Sequence, residues 1–223
     1  MTLCLAFDVY GTLIDPSDLT RQLRQTLGDG AEEFYLRWRD KQLEYSFRRG
    51  LMGAYVDFAR CTREALVFTC ASTAAPFDAR AQERLLDAWA HLPAFADSAA
   101  GLQRLQQRGA RLYAFSNGSQ AAVAALLEQA GLADHFAEVV SVEAVRSFKP
   151  APSVYRHLLS RTRSPAEATW LVSSNPFDVL GAQHAGLRCA WVRRSDRAQF
   201  DPWGIAPDLQ VASLLELAER LAD

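Results

Sequence analysis

Short apolar runs punctuate the chain at "LCLAF" (3–7), "RLYAF" (111–115), "EVVSV" (138–142), "TWLVS" (169–173) and "RCAWV" (188–192). They are continuous and do not alternate strictly with polar residues, the pattern of strands covered on both faces in a parallel sheet. Between them the apolar positions change to helical spacing. "SQAAVAALLEQAGL" ends towards Gly131, and "PSVYRHLLSRT" and "PFDVLGAQHAGL" follow the same habit, the last with Gly186 near its end. This alternation, from about residue 97 onward, predicts an α/β fold with a doubly wound parallel sheet.

Residues 15–95 read differently. "LTRQLRQTL", "AEEFYLRWRDKQLEYSFRR", "YVDFARCTREALVFTC" and "ARAQERLLDAWAHL" are amphipathic helical stretches with few strand-like runs. The expected layout is a core domain of residues 1–14 and 96–223, interrupted by a helical cap domain at 15–95. A ligand cleft then lies between them, at the carboxyl ends of the strands.

Composition narrows the function classes. The 223 residues suffice for a sizeable core, and 49% apolar with 22% charged residues is ordinary for a globular protein. A formal charge of −2 gives no electrostatic reason to expect nucleic acid or an anionic membrane as partner. No run is long enough to span a bilayer and no signal-peptide pattern stands at the start, so the expectation is a cytoplasmic protein. Cys4, Cys61, Cys70 and Cys189 are scattered and read as reduced, buried thiols. Neither they nor the four histidines supply the close ligand pairs of a zinc site, and no cofactor is expected.

Chemistry in such a sheet collects where strands stop. The first strand ends at Asp8, the second at Ser116 and Asn117 in "FSNGS", and the fourth at "VSSNPFD", residues 172–178. After the third comes "SFKP" with Lys149, one of only two lysines in the chain. Each has an ordinary reading as a cap, turn or loop residue. Their order and strand context together point to one crevice holding a nucleophilic carboxylate, a hydroxyl, an amide, an ammonium and a second carboxylate.

"FDVYGTL", "SNG", "FKP" and "VSSNPFD" resemble the four motifs of the haloacid dehalogenase superfamily, whose core is Rossmann-like. The cap stretch "LRWRDKQLEYSFRRGLMGAYVDF" narrows the resemblance to the L-2-haloacid dehalogenases. Most of the superfamily are phosphotransferases. They carry a second acid two residues after the nucleophile, to protonate the leaving oxygen, and a further acid in the fourth motif that helps hold Mg²⁺. Here Tyr10 takes the first place, and Ser173, Ser174 and Asn175 stand in the acid-bearing stretch. Halide leaves without a proton, and a carbon electrophile has no phosphoryl oxygens to neutralise. Both absences therefore fit dehalogenation without a metal.

The resemblance implies covalent catalysis. Asp8 attacks C2 of a short L-2-haloalkanoic acid, halide leaves with inversion, and water hydrolyses the aspartyl ester to a D-2-hydroxy acid; haloacetates give glycolate. Two carboxylates about 4 Å apart repel by several kcal/mol at intermediate dielectric, so cationic and N–H donors are needed. Lys149 is the natural cation. Ser116, with backbone N–H groups near Tyr10 and Asn117, is implied to hold the substrate carboxylate. Arg39 in "RWRD" matches the halide-receiving arginine, and Asn117 and Phe177 match halide-site positions. Asp178 is implied to pair with Lys149 and to position or activate water. Thr12, Tyr155, Ser173 and Asn175 complete the polar network, with Tyr10, Leu43 and Phe58 as an apolar wall. Asp40, beside Arg39, could pair with it or repel substrate.

Three alternatives stand beside this reading: a Mg²⁺-dependent phosphatase of small phosphate esters, a defluorinating dehalogenase, and a catalytically silent scaffold member. Family habit also suggests a homodimer, with "FRRGLMGAYVDF" a plausible contact.

Overall fold

The computed structural model describes residues 3–221. Residues 1–2 and 222–223, the outer ends of the expected core segments, lie outside the described residues. A six-stranded, wholly parallel sheet has the order β3-β2-β1-β4-β5-β6. Its strands are β1 (Cys4–Asp8), β2 (Arg111–Ser116), β3 (Glu138–Ser141), β4 (Thr169–Ser173), β5 (Arg188–Val192) and β6 (Leu209–Val211).

The apolar runs are continuous because both faces of the sheet are covered. Along β1, Leu5 and Phe7 enter one core with Leu102, Leu126 and Leu214. Cys4 and Ala6 enter the other with Tyr155, Leu158 and Val179. Strand β6 has no counterpart among the runs: it is three residues long, at the sheet edge, and only Val211 is buried.

Helices α1 (Ser17–Leu27), α2 (Ala31–Met52), α3 (Phe58–Thr73) and α4 (Ala79–Ala90) occupy the long interval after β1. Asp57 and Asp78 cap α3 and α4, each carboxylate accepting a backbone N–H at 2.7 Å. α2 ends at Gly53, whose φ of 65° stops the helix. The chain leaves and rejoins the sheet at one place: Asp15 N–H donates to the Pro93 carbonyl at 2.7 Å and Phe95 N–H to the Leu13 carbonyl at 2.9 Å. An antiparallel bridge pairs Ile14 with Ala94.

The sheet is then wound by α5 (Ser98–Gln107), α6 (Gln120–Gln129), α7 (Pro152–Thr162), α8 (Pro176–His184) and α9 (Leu214–Arg220). Prolines open α7 and α8, where a missing N–H costs nothing. Strand order reverses on either side of β1, so the crevice at the carboxyl ends of β1, β2 and β4 is the topological switch point.

Candidate active site

Two carboxylates and one backbone carbonyl share one buried ammonium. Lys149 Nζ donates to Asp8 Oδ1 at 3.0 Å, Asp178 Oδ2 at 2.8 Å and the Phe115 carbonyl at 2.9 Å. An ammonium has three hydrogens, and all three are used within the protein. Lys149 therefore acts on a ligand through its charge, unless a ligand displaces one of these partners. Burial alone lowers the Lys149 pKa, but the Asp178 and Asp8 carboxylates overcome it, and the net shift is upward.

Asp8 Oδ2 is held by two donors, Thr12 Oγ1 at 2.8 Å and Asn175 Nδ2 at 2.7 Å. Thr12 can spare its single proton because its oxygen accepts the Ser174 N–H at 2.8 Å. Gly11, at φ 82°, makes the turn that brings Thr12 back under Asp8, and its carbonyl takes the Ser174 hydroxyl at 2.8 Å. Asn175 Nδ2 also donates to the Tyr10 carbonyl at 3.3 Å, and Asn175 N–H donates to Ser173 Oγ at 3.1 Å.

Asp178 lies in the first turn of α8, favourably placed at the helix's positive end. Its second oxygen accepts the Tyr155 hydroxyl at 2.8 Å. Burial raises its pKa; Lys149 pulls it down and Asp8 pushes it up further. On the other side of Lys149, its own N–H donates to Asn117 Oδ1 at 2.9 Å, and the Gly118 N–H donates to Ser116 Oγ at 3.1 Å.

The resident groups do not suit a divalent cation. The two carboxylates are already bridged by Lys149, and the Asn175 NH₂ occupies the point faced by Asp8 Oδ2 and the Tyr10 carbonyl. Among the described residues no group of three His, Cys, Asp or Glu side chains is placed to hold a metal ion.

Aromatic residues from the inserted helices stand around this cluster. Tyr10 stacks on Trp89 of α4 at 5.6 Å and 19°, and the Arg39 guanidinium lies 6.0 Å from the Trp89 ring. Burial pushes the Tyr10 hydroxyl up to about 12, with the Arg39 charge opposing, so Tyr10 is a neutral phenol at ordinary pH. Phe177 meets Phe47 of α2 edge-to-face at 5.2 Å. Phe58 packs on Phe148, next to Lys149, at 6.2 Å, and Leu43 is half-buried on α2. Asp40 is exposed and lines a solvent-facing groove with Glu32, Glu33 and Lys41. Among the described residues Arg39 has no ion-pair partner, Asp40 included.

The model of the haloacid dehalogenase-like hydrolase family matches residues 2–186. The chain belongs to that family. This hydrolase is 36% identical over 215 residues to the (S)-2-haloacid dehalogenase of Pseudomonas sp. strain YL, covering 96% of this chain and 92% of that one. It is 34% identical to haloacetate dehalogenase H-2 of Moraxella sp. strain B, covering 98% and 97%. Among solved structures it is similar to the L-2-haloacid dehalogenase of Xanthobacter autotrophicus with chloropropionic acid covalently bound. That match has a TM-score of 0.90 at 31% identity, covering 100% of this chain and 99% of that one.

Several residues of this hydrolase's crevice escaped sequence reasoning. Trp89 reads as core on an amphipathic helix, and Phe47 as one more aromatic on α2. Gln42 carried a usable signal: it is a polar residue on the inward stripe Ala31, Phe34, Trp38, Gln42, Ser46 of α2.

Proposed function

We propose that this hydrolase removes halide from short L-2-haloalkanoic acids through an ester on Asp8, giving D-2-hydroxy acids, and that haloacetates give glycolate. The observation that carries this reading is a buried carboxylate held by Lys149, Thr12 and Asn175, with a neutral tyrosine two residues on. The donors fix the Asp8 carboxylate for in-line attack, and a departing halide needs no proton from any of them.

In the first step an Asp8 oxygen forms a bond to C2 while the carbon–halogen bond breaks, its electron pair leaving with the halide. Arg39 receives that halide, with Asn117 and Phe177 alongside. Asn117 is suited to this because its oxygen is committed to the Lys149 N–H, which leaves its NH₂ as donor. Ser116, whose oxygen already accepts the Gly118 N–H, keeps its proton for the substrate carboxylate. Tyr10, Leu43 and Phe58 supply the apolar wall.

In the second step water adds to the Asp8 ester carbonyl. The carbonyl carbon–oxygen bond to the substrate breaks, one proton of the water passes to the departing oxygen and the other to solvent, the hydroxy acid leaves, and the carboxylate is regenerated with one oxygen from water. Asp178, Tyr155, Ser173 and Asn175 hold the groups around that carbonyl. A Mg²⁺-dependent phosphatase is disfavoured by Tyr10 in the place of the second acid and by the Asn175 NH₂ on Asp8 Oδ2.

We read residues 15–95 as a cap over a core of 1–14 and 96–223, supported by the paired crossings at Ile14 and Ala94. The cytoplasm is the proposed compartment, supported by four buried free thiols. A homodimer through the cap is supported by Leu51 and Met52 at the end of α2, 90% and 69% exposed.

The test is chloride release from L-2-chloropropionate in the presence of chelator, abolished in Asp8→Asn. A single turnover in ¹⁸O water should leave label in Asp8; label found only in product would overturn the ester mechanism.

A further inference from the structure

Gln42 is a buried amide, 1% exposed, with both ends engaged. Its Oε1 accepts from Arg39 Nη1 at 2.5 Å, and its Nε2 donates to Thr62 Oγ1 at 2.5 Å. Thr62, on α3, gives its only proton to the Phe58 carbonyl at 2.9 Å. Its oxygen can then only accept, so the nitrogen of Gln42 must face Thr62 and the oxygen must face Arg39. The Thr62 carbonyl is itself tied by the Trp38 indole N–H at 2.9 Å. A relay of Phe58, Thr62 and Gln42 thus ends on one guanidinium hydrogen, and the rest of the guanidinium turns towards Trp89 and Tyr10.

We propose that Gln42, oriented by Thr62, is the positioning residue that aims Arg39 at the departing halide. This rests on the reading of Arg39 as halide acceptor. A flexible arginine half-exposed at a crevice samples many rotamers. An acceptor fixed from behind removes that freedom and presents the remaining N–H groups before the carbon–halogen bond breaks. Gln42 is buried with both ends of its amide bonded within the protein, so its effect passes through Arg39.

The experiment is rapid-quench halide release from L-2-chloropropionate, repeated with chloro-, bromo- and iodoacetate. The variants are Gln42→Met, Thr62→Val, Thr62→Ser, Arg39→Met and the Arg39→Met/Gln42→Met pair. Gln42→Met and Thr62→Val should each slow chloride release by about tenfold to a hundredfold, the scale of a misplaced catalytic group. The loss should shrink for iodide, which is larger and gains less from a hydrogen-bond donor. Thr62→Ser keeps the hydroxyl and should stay within about twofold of the parent, which a packing role for the threonine methyl would not allow. In the Arg39→Met background Gln42→Met should cost nothing more. Parent-like chloride release in a folded Gln42→Met or Thr62→Val protein overturns the proposal, and so does an undiminished loss in the Arg39→Met background. Parent-like release in Arg39→Met overturns the halide role of Arg39 and this inference with it.

Discussion

The Lys149 ammonium and the Asp178 carboxylate stand 2.8 Å apart with side-chain exposures of 1% and 0%. Burying such a pair is costly unless its remaining donors and acceptors are used. Here Asp8 and the Phe115 carbonyl take the other two hydrogens of Lys149, and Tyr155 serves the second oxygen of Asp178.

Replacing Lys149 with Met leaves two carboxylates facing each other without a cation. Urea unfolding at neutral pH should show a loss of about 3–5 kcal/mol, the cost of stranding a buried charge. The deficit should narrow as pH falls. In the parent the Lys149 charge pulls the Asp178 carboxyl down against burial and Asp8; without it Asp178 is held further up, so the variant's native state takes a proton before the parent's does. Stability relative to the parent should therefore be better at pH 5 than at pH 8.

Gly181 leaves the space in which the Tyr155 hydroxyl reaches Asp178. A Cβ at Gly181 would lie 2.5 Å from the Tyr155 hydroxyl and 2.6 Å from Pro150 Cβ. Gly181→Ala must push Tyr155 away from Asp178, and Tyr155→Phe removes the donor outright. Each should cost about 1–3 kcal/mol in thermal or urea unfolding and slow ester hydrolysis. The double variant should lose less than the sum, because both changes empty one hydrogen bond.

High pH should unfold the protein through its buried thiols and phenols. Burial raises Cys61 to about 11, and raises Cys4, Cys70 and Cys189 as well. Tyr10 and Tyr55 rise to about 12. Between the ordinary thiol range near 9 and these values the native state holds protons that the unfolded chain has lost. Stability then falls as pH rises, by roughly 1 kcal/mol per buried thiol per pH unit. Denaturant midpoints measured from pH 8 to 11 should decline steadily, and Cys61→Ser should flatten the decline.

Sheet strands and the crevice were legible in the sequence for one physical reason. A strand buried on both faces must be apolar throughout, so a polar residue at its carboxyl end stands out, as Asp8 and Ser173 do. Asn175, Lys149 and Asp178 were found from motifs and lie within hydrogen-bond distance of one another or of Asp8. What escaped is contact between segments distant in sequence. Nothing in a helical pattern says that Trp89 stacks on Tyr10 or that Phe47 meets Phe177. Strand β6 escaped because three residues at a sheet edge, with one side chain buried, carry no periodicity.

Arg194 ties the turn after Asp8 to the chain that returns from the helices. Its guanidinium donates to the Thr12 carbonyl at 2.6 and 3.1 Å and to both Asp97 oxygens at 2.7 and 2.9 Å, and lies 4.2 Å over the Phe95 ring. Arg194→Met should lower kcat through Thr12 and cost about 3 kcal/mol, because it strands a mostly buried carboxylate. Adding Asp97→Asn should restore part of the stability. Chemical denaturation and steady-state kinetics on the three variants check this.

The paired crossings at Ile14 and Ala94 fasten the two ends of the inserted helices at one place. The helices between them also pack against the sheet's own core, Leu19, Trp38, Leu66 and Trp89 joining one cluster with Leu5 and Phe7 of β1. A helical segment grafted at that junction must therefore bring its own apolar face to that core as well as matching the end spacing. Arg39 then travels with the inserted segment, while Asp8, Lys149 and Asp178 stay with the sheet.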